Sequence, residues 1–326
     1  MRDFTILVLE GAYASSVAVT LDILSAAAAL APAAGAAPPT WTVVSVDGGP
    51  VALRGGLSVP TRRLARLPRA DGATWIVPGL GLERLERLEA RLEHDDARRA
   101  TDLIRRHAGR GGQVAASCSS VFLLQRAGLL SGRRATTTWW LAPALARLEP
   151  SCKVDADRMV CADGPVISAG AAFAQTDLML HLLRARCGSA LADAVSRVLL
   201  IEARQAQSPF VVPEVLANGD QLVSRLVARI EGALPATPSV AELAGVFCMS
   251  ERTLARRVRR ATGQSTMALV QSVRLRRARA LLASSRMTVE QIAAAVGYQD
   301  ATALRRLMRK VAGANPSRFR NPEVAA

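Results

Sequence analysis

Apolar and polar positions follow two rhythms along this chain of 326 residues. In the first two thirds, short apolar and β-branched runs stand at Phe4 to Glu10 (FTILVLE), Thr40 to Gly48 (TWTVVSVDG), Thr74 to Gly79 (TWIVPG) and Gly112 to Ser117 (GQVAAS). Longer stretches of helical spacing, such as Ser16 to Ala29 and Leu82 to His107, lie between them. Runs that are apolar on nearly every position predict strands buried on both faces, and the intervening helices supply parallel crossovers. The expectation is an α/β domain, a mostly parallel sheet in a flavodoxin-like sandwich, with ligand sites at the carboxyl ends of the strands. Leu82 to Arg106 is so heavily charged that it reads as one solvated helix.

In the last third the spacing changes to threes and fours, and the chain resembles itself. SVAELAGVFCMSERTLARRVRRATG, Ser239 to Gly263, lies over TVEQIAAAVGYQDATALRRLMRKVAG, Thr288 to Gly313, with Leu254, Arg256 and Gly263 meeting Leu304, Arg306 and Gly313 at an offset of 50. Earlier positions, Val240, Leu243 and Ala244, meet Val289, Ile292 and Ala293 at an offset of 49. One residue has slipped in the turn. Each copy predicts helix, tight turn, helix: Gly297 suits the positive φ that ends the first helix, and Asp300 caps the second, as Ser250 does in the first copy. Leu254 and Val258, then Leu304, Leu307 and Met308, face inward. Arg252, Thr253, Arg256 and Arg257, then Thr302, Arg305, Arg306 and Arg309, face out. A second helix that offers arginine and threonine near its start has the chemistry for a major groove, because arginine bonds a guanine edge bidentately. Between the copies, Ser272 to Ser285 reads as a connecting helix with a basic face. A rigid connector would let both second helices enter major-groove segments about 34 Å apart on one face of DNA.

Charge sharpens this picture. Residues 221 to 326 carry 18 Lys/Arg against 6 Asp/Glu, or +12, whereas residues 1 to 220 carry 24 against 21, or +3. Basicity confined to one domain favours a polyanionic partner. Five cysteines without a CxxC or a regular framework suit reduced thiols, and His94, His107 and His181 lie too far apart for a metal site, so neither metal nor cofactor is expected. No apolar run is long enough to span a membrane, and the start moves directly into a strand pattern, so the expected location is the cytoplasm, associated with the nucleoid.

The last hundred residues resemble the AraC/XylS family of bacterial transcription regulators. The resemblance rests on VAELAGVFCMSERTLARRVRRATG, on VRLRRARALL, and on TVEQIAAAVGYQDATALRRLMRKVAGANPSRFR with its Gly313, Pro316, Phe319 and Arg320. It implies two helix-turn-helix motifs that read double-stranded DNA at a promoter or operator, through Arg252, Thr253, Arg256 and Arg257, and through Ala301, Thr302, Arg305 and Arg306. Residues 4 to 185 resemble the PfpI-like branch of the class I glutamine amidotransferase-like superfamily, through FTILVLEG, VTLDILSAA, TWIVPGLG, ASCSSVFLLQRAGLLSGRRATTTW and GPVISAGAAFAQTDLMLHLL. The two resemblances imply a sensing and dimerising domain over residues 1–200, a linker over 201–220 and a DNA-binding domain over 221–326. The implied protein is a transcription activator, a homodimer that answers to a small-molecule effector such as an amine or amino-acid derivative and meets RNA polymerase.

The strand-to-helix turn at Cys118 is where enzymes of such sheets place a nucleophile. Catalysis also needs a base within hydrogen-bond reach, held by a third group. Ser119 follows the cysteine where some members of the resembled family have histidine, Thr138 stands where regulators commonly have another, and Ser16 opens the first helix in place of a glutamate. The expectation is therefore no enzyme; the alternative is a cysteine-dependent amidase or deglycase that uses Cys118, tethered to DNA by its second domain. Three readings of Cys118 stay open: a pocket residue with Ser119, Asp22, Thr138 and Trp139, a redox-sensitive thiol, or a structural survivor.

Overall fold

The computed structural model describes residues 3–64, 72–82, 84–201, 204, 207, 221–262, 265–312 and 315–319. Of the expected features, the linker apart from Ile201, Arg204 and Gln207, and Gly263, Gly313 and Arg320, lie outside the described residues. The chain divides into two compact units, Met1–Gln207 and Ser208–Ala326.

The first unit is built on a sheet of eight strands. In chain order these are β1 Phe4–Leu7, β2 Trp41–Ser45, β3 Gly49–Ala52, β4 Ser58–Arg63, β5 Thr74–Val77, β6 Val114–Ser117, β9 Val160–Asp163 and β10 Val166–Ala169; β7 Arg134–Ala135 and β8 Lys153–Val154 form a small parallel pair apart. The spatial order is β3-β4-β2-β1-β5-β6-β10-β9. All neighbours are parallel except the two outer pairs, β3 with β4 and β9 with β10. Phe4, Ile6, Ile76 and Ala115 belong to one apolar core, and Leu7, Trp75, Val77 and Val114 to the other, so alternate residues of one strand feed opposite faces. This two-sided burial is why the strand runs lack polar alternation.

Helix α1, Ala14–Leu30, packs on one face with α6, Ala174–Cys187, and α7, Ser189–Val198. The other face carries α2 Leu85–Leu92, α3 Asp95–Gly109, α4 Val121–Arg126 and α5 Ala142–Leu148. Leu82 to Arg106 is thus not one solvated helix: it breaks at Glu93 and His94, and Leu88, Leu92, Ala97, Ala100, Leu103 and Ile104 are buried. Its charges pair around that stripe, with Glu93 bridging Arg98 and Arg126. High charge masked a narrow apolar face made partly of alanine.

The second unit is helical: α8 Gln221–Gly232, α9 Val240–Val246, α10 Glu251–Thr262, α11 Thr266–Ser284, α12 Val289–Ala295 and α13 Ala301–Ala312. The repeat read from the sequence is a structural repeat. Ser239 and Glu242 form a capping box at the start of α9, and Thr288 and Gln291 form the same box at α12. Such boxes satisfy two orphan backbone N–H groups at once. Ser250 Oγ accepts from Thr253 N–H at 3.2 Å, and an Asp300 carboxylate oxygen accepts from Ala303 N–H at 2.9 Å, so both second helices are capped where expected. The connector α11 starts at Thr266 under the cap of Ser265, six residues before the sequence pattern suggested.

Candidate functional sites: the Cys118 elbow and the paired helix faces

Strand β6 ends at Ser117 and the chain turns through a single short 3-10 turn into α4. Cys118 makes the turn at φ 57°, a left-handed conformation that costs a residue with a Cβ about 1–2 kcal/mol. Its backbone holds it there from both sides: the N–H donates to Gly170 O (2.8 Å) and the carbonyl accepts from Thr137 Oγ1 (2.7 Å). Gly79 lies so close that a Cβ there would stand 2.6 Å from the Cys118 Cβ. Ser119 Oγ donates to Leu80 O and Ser120 Oγ to Pro78 O, tying the elbow to the loop after β5.

The elbow is closed. Cys118 is 1% exposed, and Ser119, Thr137 and Thr138 are fully buried. A polar layer leads away from Ala172, of which the sequence pointed only to Ser16: Ser16 Oγ donates to Ala172 O, Thr20 Oγ1 to Ser16 O, and Gln175 Nε2 to Thr20 Oγ1. Among the described residues, Ser117 Oγ, Thr138 Oγ1 and Gln175 Oε1 are buried without a hydrogen-bond partner. A buried polar atom that nothing meets costs on the order of 1–3 kcal/mol. Trp139 is nearly buried and meets Trp140 edge to face at 4.9 Å.

Of the expected pocket residues, Cys118, Ser119, Thr138 and Trp139 are all buried, and Thr137, the neighbour of Thr138 in the chain, bonds the Cys118 carbonyl. Asp22 does not join them: it is exposed, about 200° around α1 from the buried Thr20. His107 stacks on Trp75 at 4.4 Å and meets Gln113 O at the start of β6, the opposite end of the strand from Cys118. Among the described residues no group of three or more His, Cys, Asp or Glu could hold a metal ion.

Two other thiols are chemically quiet. Burial, with Glu149 nearby, pushes Cys152 up to about 11, and burial raises Cys161. Cys248 is exposed. At pH 8, a maleimide should therefore label Cys248 first and reach Cys152 only on unfolding, which peptide mass spectrometry would read. The sign of the pH effect follows from the raised value. Cys152 contributes stability that is complete below the ordinary thiol value of 9.0 and is lost as pH rises towards about 11. Alkaline melts should show that loss, and Cys152→Ala should remove part of it.

In the second unit, Leu254, Val258, Leu304 and Met308 are fully buried, whereas Arg252, Arg256, Arg257, Thr302 and Arg306 are exposed. Thr253 is half-buried against the Ser250 cap, its Oγ1 3.0 Å from Ser250 Oγ. Arg305 is half-buried and paired with Glu290 at 2.8 Å, and Arg257 reaches Met249 Sδ at 4.0 Å. The basic face of α11 is largely consumed inside the unit. Arg274 lies over the Tyr298 ring at 5.2 Å and donates to Thr237 Oγ1, Arg276 pairs with Glu231, and Arg279 lies over Phe319 at 4.7 Å. Burial holds the Arg279 guanidinium below its usual value. The exposed arginines of α10 and α13 are therefore the prominent matched cationic surface of the repeat, while three of the connector's arginines, Arg274, Arg276 and Arg279, serve packing and Arg277 is exposed.

Comparisons with known proteins agree with this architecture. A sequence model of the DJ-1/PfpI family matches residues 5–185, and a model described as a helix-turn-helix domain matches residues 243–322. The HTH-type transcriptional regulator CdhR of Pseudomonas aeruginosa is 26% identical over 283 residues, 86% of this chain and 81% of the relative. The HTH-type transcriptional regulator GlxA of Rhizobium meliloti is 28% identical over 288 residues, 84% of this chain and 85% of the relative. Among solved structures, a ThiJ/PfpI family protein from Pseudomonas syringae matches with a TM-score of 0.51 at 16% identity, covering 83% of this chain and 91% of that one. An AraC family transcriptional regulator from Pseudomonas putida matches with a TM-score of 0.50 at 21% identity, over 61% of this chain and 100% of that one. The chain belongs to the DJ-1/PfpI family, joined here to an AraC-type helix-turn-helix domain.

Proposed function

We propose that this protein is a sequence-specific DNA-binding transcription regulator whose PfpI-like domain senses a small molecule. The observation that carries the reading is the duplicated helix-turn-helix, with the same kind of capping box in each copy and matched exposed arginines, Arg256 on α10 and Arg306 on α13. Arg252, Thr253, Arg257, Thr302 and Arg305 complete the DNA contacts. Relatives that span most of the chain and are named HTH-type transcriptional regulators support it. The protein acts as a homodimeric activator in the cytoplasm, in contact with RNA polymerase. Footprinting upstream of neighbouring genes tests the reading. A protected site that survives excess bulk DNA is expected, with affinity falling steeply with salt; protection no stronger than that of bulk DNA overturns it.

The sensing site lies at Cys118, Ser119 and Thr138, beside Trp139, and takes an amine or amino-acid derivative. The elbow does no catalysis in this reading, because serine, serine and threonine stand at 16, 119 and 138 where partners of a thiolate would be needed. The retained left-handed turn at Cys118 keeps the enzymatic alternative testable. Cys118→Ser is expected to leave DNA binding intact and to alter effector response. Turnover of amides or glycated amines that vanishes in Cys118→Ser would instead establish the amidase or deglycase.

A further inference from the structure

The first unit ends in two anchors. Arg204 donates its backbone N–H to Asp177 Oδ1 (2.7 Å), and its Nε and Nη2 to Asp177 Oδ2 (3.1 and 2.6 Å). Nη2 also meets Phe173 O and Thr176 Oγ1. The Asp177 side chain is only 4% exposed, so this ion pair works in a poorly solvated place. Three residues on, Gln207 is 2% exposed and inserted into the domain. Its backbone N–H donates to Asp157 O (2.6 Å) and its Oε1 accepts from Ala171 N–H (3.0 Å).

The environment of the Gln207 amide nitrogen is unusual. Four oxygens converge on Nε2: Thr137 O (2.9 Å), Ala156 O and Arg158 O (both 3.1 Å), and Thr136 Oγ1 (3.3 Å). Thr136 Oγ1 gives its own proton to Arg158 O (2.9 Å), and the two amide protons still fall one short of the other three acceptors, Thr137 O, Ala156 O and Thr136 Oγ1. Gly170 makes the room, since a Cβ there would lie 2.3 Å from the carboxamide. The cradle is therefore built for a planar group rich in N–H, and it holds more acceptors than its present occupant can use.

The cradle also shares its walls with the elbow. Thr137, whose carbonyl meets Gln207, clamps the Cys118 carbonyl through Oγ1. Gly170, which makes way for Gln207, accepts the Cys118 N–H. Thr137 and Gly170 each touch both places, so a single residue joins cradle to elbow on either side.

We propose that Gln207 is a built-in occupant of a ligand cradle beside the elbow. A small molecule ending in a primary carboxamide or amidinium competes for the cradle, releases Gln207, and loosens the segment that leads to the DNA-binding domain. This rests on the regulator reading and adds to it the chemical class of the ligand and the element that transmits binding. A tethered side chain competes at an effective concentration on the order of millimolar, so small probes succeed best when the tether is removed.

The test uses the full chain with acetamide and acetamidinium as probes. Gln207→Ala empties the cradle, and Gln207→Met, similar in size without N–H groups, fills it without the polar bonds and carries the exchange and affinity comparisons where the alanine variant lacks a cooperative melt. Hydrogen exchange in the peptide that spans 201–207 should quicken about tenfold in both variants. Either probe should raise the melting temperature of Gln207→Ala and leave the wild type unmoved, and operator affinity should differ between variant and wild type. Unchanged exchange in both variants, or a probe effect of equal size in Gln207→Ala and wild type, overturns the proposal. If no DNA shows specific protection, the regulator reading fails while the probe result still judges the cradle. If specific protection is found and the variants match the wild type in affinity and exchange, the latch fails alone.

Discussion

Arg256→Ala and Arg306→Ala should each weaken binding to the specific site by about 1–3 kcal/mol, roughly 5- to 150-fold, and relax the base preference at one position of the corresponding half of the site. Both side chains are exposed on the second helix of their motif, and they occupy the same place in the repeat. Binding to bulk DNA should fall much less, because it loses one phosphate-neutralising charge in twelve net positive charges on this region. If the two side chains act in separate grooves, the double variant should show the sum of the single effects. Arg305→Ala should cost less than Arg306→Ala, since Arg305 already spends a donor on Glu290. Gel shifts over a salt series measure all of this. A ratio of specific to bulk affinity that stays constant across the set would show that these helices do not read bases.

Gly297→Ala should destabilise the second unit by on the order of 2–4 kcal/mol and abolish specific binding through loss of the fold. Two costs combine there. The residue stands at φ +83°, which a Cβ disfavours, and the added Cβ would lie 2.4 Å from the backbone oxygen of Pro235 and 3.2 Å from Arg274. The first copy of the repeat supplies the control. Cys248 occupies the matching turn at φ 52° and is exposed, so a residue with a Cβ bears the strain in that copy. Cys248→Gly should therefore stabilise the unit by about 0.5–1 kcal/mol, part of the relief being returned to the freer unfolded chain. Calorimetry of the full chain reads both as opposite shifts of one transition. Shifts of the same sign would mean that the two turns are not equivalent.

Much of the molecule was legible because its code is local. Short continuous apolar runs, a period of 3.6, cap residues and the segregation of charge are properties of neighbouring positions, so the parallel sheet, the duplicated motif and the caps at Ser250 and Asp300 followed from them. The misread stretch, Leu82 to Arg106, shows where local reasoning weakens. A narrow stripe of alanine, leucine and isoleucine buries well enough while long arginines around it pair with acids, and average polarity conceals it.

By itself, then, the sequence determined the two architectures, the cationic character of the second, and the lack of histidine beside Cys118. Only the tertiary structure decided which polar groups meet. It turned Asp22 outward while Ser16, Thr20 and Gln175 formed the buried layer, and it spent Arg274, Arg276 and Arg279 on packing. It also carried Gln207 into a cradle made by residues 136, 137, 156, 158 and 171. The physical reason is range: a helix or a cap is settled by residues within about one turn. A hydrogen bond between positions 137 and 207 leaves no mark on the sequence near either one.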